Sequence, residues 1–151
     1  GKIKEKFYRD AIDEYSKRLS KYCKLEIKEV ADEKTPDHAS DTVNAQILTK
    51  EGERIKNLIP KDSHVIVLAI EGRKYDSVEF ADMINNAGIH GISNITFIIG
   101  GSLGIADEIK KSANAAISFS DMTFPHQLMR VILLEQIYRG YKIITKEPYH
   151  K

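Results

Sequence analysis

Ile95–Gly104, ITFIIGGSLG, decides how the chain is read. Ile95 to Ile99 is a short apolar run of β-favouring residues that stops at Gly100 and Gly101, with a third glycine at Gly104. Ile105 and Ile109 then begin a helical pattern, expected over Ile105–Ala113. A strand that ends in glycines and turns into a helix is the usual way an α/β fold holds a small anionic or nucleotide-like ligand. Glycine allows a sharp turn and close backbone approach, and a helix start offers free N–H groups. The stretch is not a dinucleotide fingerprint, because Ile99 stands where the first glycine of G-x-G-x-x-G belongs; it also lacks the Gly-Lys-Ser/Thr of a phosphate loop. Taken alone it reads equally as a glycine-tightened strand-to-helix turn.

Downstream lies Ile117–Gly140, ISFSDMTFPHQLMRVILLEQIYRG. It begins inside a second apolar strand (Ala115–Phe119) and goes on to a loop SDMTF and a helix opened by Pro125 and expected to end near Tyr138. Proline suits a first helical turn, where its missing N–H would have no partner anyway. Leu128, Met129, Val131, Ile132, Leu133, Leu134 and Ile137 make this helix apolar nearly all round. Such a helix is expected to pack against its own sheet and against another subunit.

Upstream, Phe7–Tyr22 carries Tyr8, Ile12, Tyr15, Leu19 and Tyr22 on one helical stripe, with basic residues opposite. Lys24–Val30 alternates around Leu25 and Ile27 and reads as a strand. The polar, proline-containing Ala31–Thr42 reads as a loop, and Val43–Leu58 as a helix. His64–Ile70, HVIVLAI, is a continuous apolar run suited to a central parallel strand, with Glu71–Tyr75 as the turn after it. Asp76 and Glu79 form a capping box for a helix ending near Asn86, with Gly88 just beyond. Strands alternate with helices, so the class is α/β with a mainly parallel sheet in one domain. An α/β domain ordinarily has a strand before its first helix, so an opening strand ahead of Gly1 is expected.

The 151 residues hold 42% hydrophobic and 30% charged side chains, as in an ordinary globular domain. The net charge of +1 gives no global basic field, so nucleic-acid contact must come from local patches or from paired subunits. The single Cys23 excludes an internal disulfide and suits a reducing, cytoplasmic compartment. No run approaches the roughly eighteen apolar residues of a membrane span, and no metal-ligand spacing appears, so neither membrane nor metal is expected.

Three loops follow strand C-termini: after Leu68–Ile70, at Gly100, and from Phe119 to Phe124. In open α/β sheets that edge holds the ligand. FIIGGSLG, SFSDMTFPHQLMRVILLEQIYRGYKI and the terminal PYHK together resemble the RlmH family, small SPOUT-class methyltransferases of bacterial large-subunit rRNA. The resemblance covers essentially the whole chain; the family's opening strand leads into Val-Gly-Lys, of which only Gly1-Lys2 is matched. It implies a C-terminal trefoil knot that binds S-adenosylmethionine. The implied cofactor contacts are Leu68, Gly100, Phe119, Ser120, Asp121, Met122, Thr123 and Phe124. It further implies a homodimer that methylates N3 of a pseudouridine in 23S rRNA, on assembled ribosomes.

Leu68, Met122 and Phe124 suit the flat apolar faces of adenine, with plain core packing as the lesser reading of Met122 and Phe124. Tyr149, His150, His126 and Arg130 are the candidates for proton handling and substrate binding. His126 reads equally as a histidine bonded near a helix start. Arg130 fits RNA phosphate or an interface acid such as Glu135. Lys2, Lys4, Lys6 and Arg9 fit RNA backbone contacts or a merely solvated face. Two other readings stand beside this one: a dehydrogenase-like nucleotide-binding module, and a non-catalytic RNA- or ribosome-binding protein.

Overall fold

A computed structural model describes residues 1–151. In chain order the elements are α1 (Lys6–Leu19), α2 (Asp41–Leu58), β1 (His64–Lys74), α3 (Ser77–Ile89), β2 (Ile95–Ile99), α4 (Asp107–Ser112), β3 (Ala115–Ser118) and α5 (His126–Ile144). The three strands form a parallel sheet in the order β2-β1-β3. No helix is long and apolar enough to cross a membrane.

The unbroken apolar run of β1 is explained by what covers each face. Ile66 points into a cluster with Ile12 and Leu19 of α1, Phe80 and Ile84 of α3, Ile117 of β3, and Leu133, Leu134 and Ile137 of α5. Val65 and Val67, one residue to either side, point the opposite way, toward Ile98, Ile105 and Ile109, with Ile55 of α2 packed against them. Alternate side chains of a strand face opposite sides. A strand buried on both sides therefore needs apolar residues at every position. The helices form one layer of α1, α3 and α5 and another of α2 and α4.

Local signals set several helix starts. Ser40 accepts a hydrogen bond from the Val43 N–H (3.2 Å) at the start of α2. The capping box of α3 is complete: Asp76 accepts from the Glu79 N–H (2.8 Å), and Glu79 accepts from the Asp76 N–H (3.1 Å). Pro125 stands at the N-cap position, one residue before α5 rather than inside its first turn, and makes no side-chain capping bond.

Elsewhere long-range contacts override the local reading. Lys24–Val30 pairs with no strand; Leu25 packs on the core while Ile27 is 40% exposed. With no ladder beside it, alternation of side chains cannot make a strand. Glu71–Lys74 is not a turn: β1 continues to Lys74. Its register with β3 shifts between Leu68 and Arg73, so that both pair with Ile117. Gly72 permits this, because a Cβ there would lie 2.7 Å from the Ala116 and Ile117 backbone. α3 runs through Gly88 to Ile89, and Gly91, at φ +82°, takes the left-handed position after it. α4 starts only at Asp107 and spans 6 residues, so the glycine stretch does not open directly into a helix. α5 continues past Tyr138 to Ile144 because Gly140 sits 3.6 Å from Ala81 of α3, measured from its absent Cβ, and serves as a packing surface rather than a helix stop.

Candidate active site

Parallel pairing puts Leu68 beside both Ile99 and Ile117. The chain therefore leaves β2 and β3 at one edge of the sheet, level with Leu68; the glycine turn and the Phe119–Phe124 loop start there, whereas β1 runs on to Lys74 and the loop expected after Ile70 does not. The glycine turn is built tightly on itself. A Cβ on Gly100 would collide with the Gly104 carbonyl oxygen, and would stand 2.5 Å from its carbonyl carbon and 2.8 Å from Ile105 Cγ1. Gly104 adopts φ +86° and donates its N–H to Gly101 O (3.0 Å). The need for glycine at 100 thus comes from the loop's own backbone. Gly101 faces Glu51, whose Oε2 lies 3.1 Å from a Cβ placed there.

The loop after β3 is held by its own serines. The buried Ser118 hydroxyl donates to Ser120 O (3.0 Å), and Ser120 Oγ accepts from the Met122 N–H (3.0 Å). Asp121 pairs with Lys74 Nζ at 2.5 Å and so ties this loop to the end of β1. Phe119 packs edge-on against Phe80 (5.9 Å), and Leu68 against the same core. Phe124 is half-buried, whereas Met122 is 72% exposed and Ile70 47%. Met122 therefore is not core. Apolar side chains left uncovered beside free backbone groups fit the faces and edge of a purine-like ligand.

His126 is the first residue of α5, and its Nε2 is buried without a partner. Burial lowers its pKa, so the ring is neutral. Arg130, one turn on, is committed within its own chain. It donates to Glu29 (3.2 Å) and to Gly1 O (2.8 Å), with 14% of its side chain exposed. Glu135 is not its partner. Of the N-terminal cations, Lys6 pairs with Asp10 (2.7 Å) and Arg9 donates to Lys4 O (3.2 Å).

The C-terminal tail is docked rather than frayed. The Tyr149 hydroxyl donates to Glu135 Oε1 (3.2 Å), and its ring meets Tyr138 edge-on (5.0 Å) with the Arg139 guanidinium 4.8 Å from its centre. Burial, then the Glu135 carboxylate, raises the Tyr149 pKa and keeps the phenol protonated. Arg139 bonds Glu135 at 2.6 Å and donates to His150 Nδ1 at 3.2 Å. Arginine can only donate, so this imidazole accepts at Nδ1 and presents its Nε2–H outward. The local sequence pattern gave no role to Arg139. Its one signal is the i,i+4 spacing from Glu135, common on any helix surface. At 1.5 Å rise per residue, Glu135 and Arg139 stand about 14 to 20 Å along α5 from His126. The Phe119–Phe124 loop leads into His126, and the tail packs on the far half of α5. No cluster of His, Cys, Asp or Glu is placed to hold a metal ion.

The family model described as "Predicted SPOUT methyltransferase" matches residues 1–150. The chain belongs to the SPOUT methyltransferase family. It is 64% identical to a protein of Bifidobacterium adolescentis called ribosomal RNA large subunit methyltransferase H, over 100% of this chain and 95% of that one. It is 59% identical, with the same coverage, to the protein so named in Bifidobacterium animalis subsp. lactis. A Methanococcus maripaludis protein called putative ribosomal RNA large subunit methyltransferase H is 60% identical, again over 100% and 95%.

Membership makes the protein an enzyme that uses a methyl-donor cofactor, and it displaces the dehydrogenase-like and non-catalytic readings. In a SPOUT methyltransferase the donor supplies an electrophilic methyl group; the protein must place the acceptor in line with it. The neutral His126 offers a test of its burial. Its folded pKa is depressed, so the unfolded chain binds a proton first. Stability contributed by the buried neutral ring is present above the ordinary histidine value and lost as pH falls toward the folded one. The gap in thermal midpoint between wild type and His126→Asn is expected to narrow as pH falls from about 7.5 to about 5. Scanning calorimetry across that range checks it, and a constant gap would mean that His126 is not buried neutral.

Proposed function

We propose that the protein transfers a methyl group from S-adenosylmethionine to N3 of a pseudouridine in 23S rRNA, on the assembled ribosome and as a homodimer. The observation that carries this reading is the docked tail. An aromatic ring, an imidazole N–H and a guanidinium are held together on the far half of α5 by Glu135 and Arg139. A second copy packed on α5 brings one chain's tail to the other's loops. Leu128, Met129 and Ile132 of α5 are half-buried and supply apolar surface for that contact. The names of the relatives support rRNA as the substrate.

In this reading Leu68, Gly100 and Phe119, Ser120, Asp121, Met122, Thr123 and Phe124 bind the donor, with Met122 and Leu68 against adenine and backbone groups at its edge. Tyr149 and His150 take the target base. The His150 Nε2–H suits a pyrimidine carbonyl oxygen; N3 gives its proton to solvent water, and the Arg139 charge favours the imidate so formed, which is the nucleophile. His126 lines the loop side; Arg130 braces the N-terminal segment against Glu29. The trefoil knot belongs to the same proposal, supported by the close passage of Gly72 over the β3 backbone. Calorimetry with S-adenosylmethionine and NAD side by side, followed by methyl incorporation into purified ribosomes, tests it. Binding of the first alone, with incorporation at a single pseudouridine, is expected. Absence of S-adenosylmethionine binding would overturn it.

A further inference from the structure

We propose that Glu147 positions the tail for methyl transfer, an inference that rests on the tail's role in the proposed function. α5 ends in a reversal: Lys146 N–H bonds Ile143 O (3.1 Å) and Glu147 N–H bonds Lys142 O (2.9 Å), with Lys146 at φ +57° between them. This is the usual glycine closure of a helix, made here with lysine. A side chain resists the left-handed region, so something else must hold the turn.

The Glu147 carboxylate does so. Oε1 accepts from the Tyr22 hydroxyl (2.7 Å) and from Thr145 Oγ1 (2.9 Å); Oε2 accepts from Lys142 Nζ (2.8 Å), with Lys21 Nζ at 3.6 Å. Donors thus converge from the segment after α1, from α5 and from the turn itself. Lys142 and Tyr22 hold the carboxyl down at about 2, so it stays ionised wherever the enzyme works. The same groups continue to the tail. Tyr22 stacks on Tyr141 (5.4 Å), Lys142 lies over Tyr22 and Tyr138 (5.6 and 5.4 Å), and Tyr138 receives the edge of Tyr149. Glu147 itself touches neither Tyr149 nor His150. It fixes the direction in which Pro148, with its rigid φ, sends them back along α5.

E147A and E147Q are compared with wild type and with a protein lacking Pro148–Lys151, reading methylation rates on ribosomes, donor affinity, thermal midpoint and amide exchange at Tyr149 and His150. E147A is expected to lower kcat by about ten-fold or more, to leave donor affinity unchanged and to speed exchange in the tail. E147Q keeps an acceptor for Tyr22 and should recover most of the rate. K146G should partly rescue E147A, because glycine takes the left-handed turn without help. If E147A works at full rate while the tail deletion is inactive, the Glu147 inference fails and the tail reading stands. If the tail deletion is itself fully active, the underlying reading fails. Loss of rate together with loss of donor binding would make Glu147 a general structural cap and overturn its positioning role.

Discussion

Deleting Pro148–Lys151 is expected to reduce methyl transfer to ribosomes by about a hundred-fold or more, while donor binding and dimerisation persist. The deletion removes the Tyr149 hydroxyl and the His150 imidazole but none of the loops at the sheet edge. The edge-on ring pair with Tyr138 that is lost contributes about 1 kcal/mol. Glu135 and Arg139 keep each other as partners at 2.6 Å, so no charge is stranded. Mixed with a Gly100→Val protein, the tail-less chain should recover activity. The heterodimer then holds one intact loop edge and one intact tail, on different chains. Full-rate methylation by the deletion protein alone would make the tail a passive end and remove the shared site.

Gly100→Val is expected to abolish measurable S-adenosylmethionine binding. The added side chain meets backbone, the Gly104 carbonyl, and the buried Ile105, neither of which can rotate away. The turn must therefore reshape at the edge where the donor is proposed to sit. Overpacking of this kind costs about 1 to 3 kcal/mol. The thermal midpoint should fall without loss of fold, because the clash reaches only Ile105 of the smaller core cluster and leaves the larger one around Ile66 untouched. Gly101→Ala is the control. Its Cβ meets only the far end of the Glu51 side chain at 3.1 Å, which can swing aside. Calorimetry and circular dichroism on both variants separate the outcomes; normal donor affinity in a folded Gly100→Val protein would take the glycine turn out of the binding site.

The sequence by itself determined the elements whose information is local. β2 was legible to the residue, because five apolar β-favouring residues end against two glycines. The Asp76–Glu79 box and Pro125 marked two helix starts through side chains and ring geometry that act within one turn. The alternation of strands and helices named the fold class and placed the glycine turn and the Phe119–Phe124 loop on one edge. Tertiary structure alone decided the rest, because each remaining feature joins residues distant in the chain. Whether Lys24–Val30 became a strand depended on a neighbour to pair with. Whether β1 stopped at Ile70 depended on β3, more than forty residues on, and on the space left by Gly72. Arg130 could equally have met Glu135 or a phosphate by its local pattern, yet it folds against Glu29 and Gly1. The tail's chemistry could be read from its residue types, but its place could not. Tyr149 and His150 are ordered by Glu135 and Arg139, reached only because the chain reverses at Lys146 and runs back along the helix it has just left.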